Sequence, residues 1–432
     1  MVRSLIIACV LTAIGCAATA DTGVERSASR AIVSATPLGF RAGRIGVNLG
    51  SWTAWGAEQL SANVIKNPGF EGLIDRSLIV VTSPSGQTVH DDSAFLSRPT
   101  GFWDQARWSA RTGAAAGREG LVRRSRSAPG TLPAFELDSP ALAVGDIVSL
   151  TRVRDDELPT QWWIHESSRS MVDTEAGDPS GSGGMRSLRL SPVRGQNATI
   201  TSYLDAIGAR AGTLLPVTGQ WRLTFWARRA FGTANLRLSL RRAGLPPIVD
   251  RTLEPSSTWH RETMVFEGER PGAEGTLALQ LEAAGAGRIL VDDVDLRRTS
   301  DEGRAFRHEV EDTLRTLQPG YLRDWQGQLG DTLANRVASP GARRASRYRP
   351  GDEFQTDYGY SLTDFLSLAR DLGSRPWVVM PTTFSDGECR ELGRLLATWT
   401  AFDEIVVEFG NENWNPLFRA AGIIEVRAHT AA

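Results

Sequence analysis

Hydrophobic positions along this chain repeat with two different periods, and the change falls near residue 298. Between 183 and 298 apolar and polar residues alternate: Ser187-Leu-Arg-Leu190, Trp221-Arg-Leu-Thr-Phe-Trp226, Asn235-Leu-Arg-Leu-Ser-Leu240, Thr276-Leu-Ala-Leu-Gln-Leu281 and Arg288-Ile-Leu-Val-Asp-Asp-Val-Asp-Leu296. Strict alternation puts one face of each segment in a core, and Gly/Pro/Ser turns separate the segments. The pattern predicts an all-β sandwich or jelly roll. After Arg298 the period becomes about 3.6, with Phe306, Val310, Leu314 and Leu317 on one stripe and Pro319-Gly320 as the stop. Short apolar runs then alternate with helical ones: Tyr321-Leu-Arg-Asp-Trp325, a helix opened by Ser361-Leu-Thr-Asp364, Trp377-Val-Val-Met-Pro381, a helix capped by Ser385, and Ile405 to Phe409. Strand, helix, strand, helix, strand predicts parallel βα units. Arg44-Ile-Gly-Val-Asn-Leu49 has the same character and reads as the first strand of that set. The stretch from about 73 to 150 mixes β-type runs with turns and reads as a β-rich insertion without visible chemistry.

Together with the resemblances set out below, these patterns imply an export signal over 1–20, a loose leader over 21–43 and a first barrel strand within 44–62. The first jelly-roll strand and the insertion follow over 63–182, the jelly roll over 183–298 and a partial (β/α) barrel over 299–432. The fold class is multidomain, a β-sandwich inserted into part of a (β/α)8 barrel.

Composition adds little to this picture. The 432 residues are 41% hydrophobic and 23% charged with a formal net charge of −2, which gives no electrostatic case for nucleic acid or an anionic membrane. The N-terminus changes more. A basic start at Arg3, an apolar run over 4–15 and small residues before Asp21 read as an export signal. Cleavage after Ala20 and lipidation at Cys16, which follows Ala13-Ile-Gly15, are the two outcomes; either places the protein in the periplasm or outside the cell. Loss of Cys9 and Cys16 would leave Cys389 with no internal disulfide partner.

Candidate chemistry sits at the last strand. Glu404-Ile-Val-Val-Glu-Phe-Gly-Asn-Glu-Asn-Trp-Asn415 ends a buried-strand pattern in an amide, a carboxyl and an indole. These groups suit a sugar: hydrogen bonds for hydroxyls and an aromatic face for the ring. Glu408, inside the strand, is expected to face the helical layer. Arg323, Asp324 and Trp325 end the second strand and either line the same site or serve packing and ion pairs.

Two resemblances follow from these segments. Asn67-Pro-Gly-Phe-Glu71, Gly184-Met-Arg-Ser-Leu-Arg-Leu190, Trp221-Arg-Leu-Thr-Phe-Trp-Ala227 and Ile289-Leu-Val-Asp-Asp-Val294 resemble, in order and spacing, a family-4/9-type carbohydrate-binding jelly roll. That implies Glu71 and Asp293 as ligands of a structural calcium, oxygen donors as a hard cation requires; otherwise they cap strands and turns. Trp226 and Trp259 either stack on a sugar or belong to the core. Gly410-Asn-Glu412, ending the fourth strand by count, resembles the acid/base motif of the retaining (β/α)8-barrel glycosidases of clan A, which include the α-L-arabinofuranosidases. The resemblance implies Glu412 as general acid/base and Asn411 as a contact to the sugar 2-hydroxyl, with Asn413 and Trp414 in the substrate site and no catalytic cofactor. The second carboxylate of such a pair stands about 5–5.5 Å away, and in that clan it ends strand seven. The chain is accordingly read as truncated after strand four and as having little hydrolytic activity alone. The alternative is a non-catalytic carbohydrate-binding surface protein; either way the expected partner is a polysaccharide or oligosaccharide, with no nucleic acid and no transmembrane segment after signal cleavage.

Overall fold

The computed structural model describes residues 43, 45–50, 60–92, 98–138, 142–155, 159–204, 215–325, 331–347, 355–356 and 359–412. All of these belong to the compact unit Arg41–Ala432; the export segment, Cys16, Asn413 and Trp414 lie outside the described residues. The architecture is multidomain and built on several β-sheets.

The four apolar runs read as parallel strands form one parallel sheet in chain order: Gly46–Leu49, Tyr321–Asp324, Arg375–Met380 and Val406–Phe409. One face carries Leu49, Leu322 and Val378, packed with Leu314, Phe365, Leu366, Leu392 and Leu396 from three helices. These helices, His308–Leu317, Leu362–Leu372 and Asp386–Ala397, have the ends their sequences specify. Ser361 with Asp364, and Ser385 with Glu388, each form a complete capping box. Gly373 closes the second helix at φ +61°, a conformation that costs glycine nothing.

Two five-stranded antiparallel sheets share one hydrophobic core and form a sandwich-like pair. The first runs His260–Glu267, Gln220–Gly232, Gly287–Arg298, Arg186–Leu190, Val172–Ala176. The second runs Val249–Leu253, Asn235–Arg242, Leu277–Ala284, Ala198–Tyr203, Trp163–Ile164. Alternation selects the inner face as expected: Leu236, Leu238, Leu240, Leu277, Leu281, Ile200 and Ala283 are all fully buried. Trp163–Ile164 and Val172–Ala176, which the sequence reading assigns to the insertion, pair into these sheets.

Six strands of the insertion join two from residues 345–356 in an eight-stranded mixed sheet, with Trp103 and Trp108 in its core. Its strand Leu73–Val80 takes Ala345–Arg347, from the connection between the second and third parallel strands, as a parallel neighbour. Adjacent residues of Leu73–Val80 bind opposite ways. Asp75, fully buried, receives Arg98 at 3.1 Å, Arg154 at 2.8 Å and Arg347 at 3.0 Å. Arg76 instead grips Glu388 with both terminal nitrogens at 2.8 and 2.6 Å, and donates to the carbonyls of Asp331 and Thr383. Because Glu388 is also the capping residue of helix Asp386–Ala397, the insertion is tied to the helical layer at that helix end.

Candidate functional site

Successive residues of a strand point to opposite faces, and the second parallel strand shows the consequence. Arg323 lies on the face away from the helices. Its Nε and Nη2 donate to Glu408 Oε2 and Oε1 at 2.8 and 3.0 Å, and Nη2 also donates to Asn411 Oδ1 at 2.8 Å. Trp377 Nε1 donates to Glu408 Oε2 at 2.8 Å. Glu408 therefore does not face the helical layer, as the sequence suggested; it is held in a charged cluster on the opposite face. That face opens as a cleft of about 580 Å³ lined by Gly46, Asn48, Tyr321, Arg323, Trp377 and Glu408 among others.

Asp324 points the other way. It is 1% exposed, ion-paired to Arg336 and hydrogen-bonded by Tyr360 Oη at 3.3 Å. The structure thus separates Arg323 from Asp324. Trp325 stays at the strand end, its N–H donating to the Leu49 carbonyl at 2.7 Å. Beyond the fourth strand Gly410 and Glu412 adopt positive φ, +72° and +47°, so the chain turns sharply there. Glu412 ends exposed, while Asn411 is drawn back to Arg323.

The corner expected to bind calcium is a buried carboxylate cluster. Glu71 is fully buried; its Oε1 accepts from the Met185 and Arg186 N–H groups at 2.5 and 3.0 Å. Its Oε2 lies 2.9 Å from Arg344 Nη2, within ion-pair range but without hydrogen-bond alignment. Burial pushes Glu71 up from its ordinary value to about 7, against those two N–H donors and Arg344. Asp292, which sequence reasoning passed over, is pushed up to about 9, first by burial and then by the neighbouring Asp293 carboxylate. Asp293 is raised too, chiefly by burial, while Ser180 and Ser182 donate hydroxyl hydrogen bonds to it. Two glycines let backbone and carboxylates approach closely at this corner. A Cβ on Gly341 would meet Asp293 Oδ1 at 1.9 Å, and one on Gly184 would meet Glu71 Oε1 at 3.1 Å and the Gly341 carbonyl at 3.3 Å.

A second cluster, Asp301, His308 and Glu309, brings ligand atoms within 4.8 Å of one another. Its charges are already balanced: His308 Nδ1 sits 2.6 Å from Asp301 Oδ1, and Arg298 and Arg307 flank Glu309. Asp301 Oδ1 also accepts the His308 N–H at 2.9 Å, at the start of helix His308–Leu317.

The tryptophans named from sequence, Trp226 and Trp259, are half-buried on the outer side of the first sandwich sheet, where Arg228 lies 5.2 Å over the Trp259 ring. The second sheet carries an exposed aromatic pair, whereas the exposed Phe231 of the first sheet lies under Arg288, 5.2 Å over its ring. Trp163 is 61% exposed and meets Tyr203, 37% exposed, edge to face at 6.3 Å. Register places Thr201, Gln280, Ser239 and Asp250 in one row with Trp163, and Ala278 and Arg241 in the next row with Tyr203. A third row holds Thr199, Glu282 and Arg237. Thr201 and Ser239 are nearly covered while the two aromatics stand out, so the face has a polar floor and an aromatic rim. Trp163 escaped sequence reasoning because a two-residue strand carries no periodicity.

No family model and no curated protein sequence matches the chain. Among solved structures it is similar to TmCBM61 in complex with beta-1,4-galactotriose (15% identity, 32% of this chain, 89% of that chain, TM-score 0.25). It is similar also to the CBM22-1 xylan-binding domain of Xyn10C from Paenibacillus barcinonensis (15%, 33%, 89%, 0.24). A third is the N-terminal cellulose-binding domain of the Cellulomonas fimi β-1,4-glucanase C (18%, 33%, 91%, 0.23). Over about a third of its length, then, this multidomain, mixed-sheet chain bears a distant resemblance to carbohydrate-binding modules.

Proposed function

We propose that the protein is an exported carbohydrate-binding protein whose binding surface is the outer face of the second sandwich sheet. The observation that carries this reading is the Trp163–Tyr203 rim over the Thr201–Gln280–Ser239 row. A lone exposed aromatic says little, but Trp163 and Tyr203 stand together as a patch rimmed by polar residues, and a sugar ring offers a C–H face for the indole and hydroxyls for the floor. Binding of neutral plant-type oligosaccharides, lost when Trp163 is truncated, is the test. Export rests on the signal pattern of residues 1–20; no helix among the described residues is long and apolar enough to cross a membrane.

The donor set at Glu71 and Asp293 fits a hard cation: carboxylates, hydroxyls and the Gly341 carbonyl converge so closely that a Cβ on Gly341 would overlap Asp293 Oδ1. Arg344 opposes Glu71 but is shared with Asp155, and Arg261 acts on Asp293 while Asp178 adds a further negative charge beside it. The linkage sign follows from the raised values. Without a cation, Glu71 and Asp292 contribute stability that is full below their unfolded values and lost as pH rises, through about 7 and about 9 respectively. Calcium replaces the protons, so its effect grows with pH. Millimolar calcium is expected to raise the Tm by several degrees at pH 8 and much less at pH 5, since about 1 kcal/mol moves Tm by roughly 2–4 °C in large domains. A calorimetric scan with no calcium effect at pH 8 would sink this assignment.

A second reading, a glycosidase of the retaining clan-A type, is favoured by the parallel strands in chain order and by Asn411 held against Arg323 beside Glu412. It needs two carboxylates in register with a substrate, and the neighbouring Glu408 is committed to Arg323 and Trp377. Binding without turnover is therefore expected: an aryl arabinofuranoside should show no hydrolysis above background. Measurable turnover that disappears in Glu412→Gln would reverse the order of the two readings.

A further inference from the structure

Between the sandwich-like sheets and the helical layer lies a separate cleft of about 340 Å³, at the lower end of the range for small-molecule sites. Its lining holds five bases, Lys66, Arg297, Arg304, Arg343 and Arg344, against one acid, Asp364. Four of the bases have partners within the protein. Arg297 pairs with Asp295, Arg304 with Glu311, and Arg344 with Asp155 and Glu71. Lys66, the chain's only lysine, has no ion pair among the described residues. Arg343 is 5% exposed; its guanidinium is 3.7 Å from Asp364, whose carboxylate already accepts the Ser361 N–H at 2.8 Å. Burial holds Arg343 down to about 10, the direction an arriving anion would reverse.

The neutral polar groups of the wall are used up internally. Asn63 Oδ1 accepts from the Ile65 and Leu296 N–H groups while its Nδ2 donates to the Val294 carbonyl. Asn67 bridges Glu71 and Thr160, and Ser61 Oγ donates to the Gly359 carbonyl. Recognition here therefore runs through charge more than through hydroxyls. Val64, Ile65, Pro68 and Pro340 add apolar wall, and the volume exceeds that of a simple tetrahedral anion. Resting on the carbohydrate reading above, we propose that this cleft is a second saccharide subsite that takes an anionic ring, a hexuronate, with its carboxylate against Lys66 and Arg343.

Titration calorimetry of the full chain with methyl β-glucuronide and methyl β-glucoside tests it. The glucuronide should bind and the glucoside should not, with affinity falling as salt is raised. Lys66→Gln, a half-exposed position where folding is not at stake, should weaken the glucuronide by about tenfold, the loss of one charge-assisted contact. Arg343→Lys should weaken it also, and thermal melting checks that this buried variant remains folded. Equal binding of the two glycosides, binding of neither, or unchanged glucuronide affinity in Lys66→Gln would each overturn the proposal. So would inorganic sulfate binding as tightly as the glucuronide, which would mark a simple anion site. The two readings fail separately. Trp163→Ala should leave the glucuronide within about twofold, since it lies on the other sheet face; neutral oligosaccharide binding without glucuronide binding sinks only this subsite.

Discussion

Arg336→Met is expected to destabilise the helical part of the chain by about 3–5 kcal/mol, the cost of leaving a buried charge without its partner. Arg336 and Asp324 are each about 1% exposed, and the pair is surrounded by further bonds: Arg336 Nη1 donates to the Val379 carbonyl at 2.7 Å, and Tyr360 donates to Asp324. Methionine fills the volume of the arginine stem, so a lost cavity contributes little and the orphaned Asp324 carboxylate dominates. The control is the double variant Arg336→Met/Asp324→Leu, which removes both charges and should recover most of the loss. Chemical denaturation followed by Trp fluorescence reads this. A multidomain chain need not unfold in one step, so the shift is sought in the transition that moves with Arg336. A single-variant loss below about 1 kcal/mol would mean that water or another cation reaches Asp324, contrary to its burial.

That ion pair also shows where sequence reasoning reached its limit. The parallel strands, the Ser361 capping box, the Ser385 cap and the alternating strands of the sandwich were legible, because period and caps are local properties. Side-chain direction within the short parallel strands was not. Arg323 and Asp324 are adjacent, so alternation alone forbids both from lining one site; which of them faces the helices depends on packing by residues tens of positions away. Glu408 went to the wrong face for the same reason: its partners Arg323 and Trp377 belong to two other strands, at separations no motif spans. Glu71 and Asp293 could be named from the resemblance of short segments. The nearby Asp292 could not, since its charge is unusual only once Ser187, Asp293 and Glu71 surround it. The strand Ala345–Arg347 in the insertion sheet was hidden within a Gly/Arg/Pro-rich loop, and nothing local announces a neighbour at Leu73–Asp75.

The Trp163 face is the place where a single truncation should show most in binding. Trp163→Ala is expected to weaken a bound neutral oligosaccharide by about 30-fold, equivalent to about 2 kcal/mol for an exposed aromatic anchor. Folding is not expected to suffer, because the indole is mostly in water and its strand is held to Ala198–Tyr203 by backbone pairing that the substitution leaves in place. Tyr203→Ala should cost less, as its ring is smaller and more covered. Gln280→Ala should discriminate among sugars more than it reduces affinity, since a floor amide reads hydroxyl positions. By contrast, Trp259→Ala should leave binding unchanged: that indole is half-buried beneath Arg228 on the opposite sheet. Calorimetry with xylo- and arabino-oligosaccharides, run on all four variants, separates a stacking platform from a core aromatic. If Trp259→Ala abolishes binding while Trp163→Ala does not, the ligand lies on the first sheet, and the pair of tryptophans first suggested by the sequence is the binding platform.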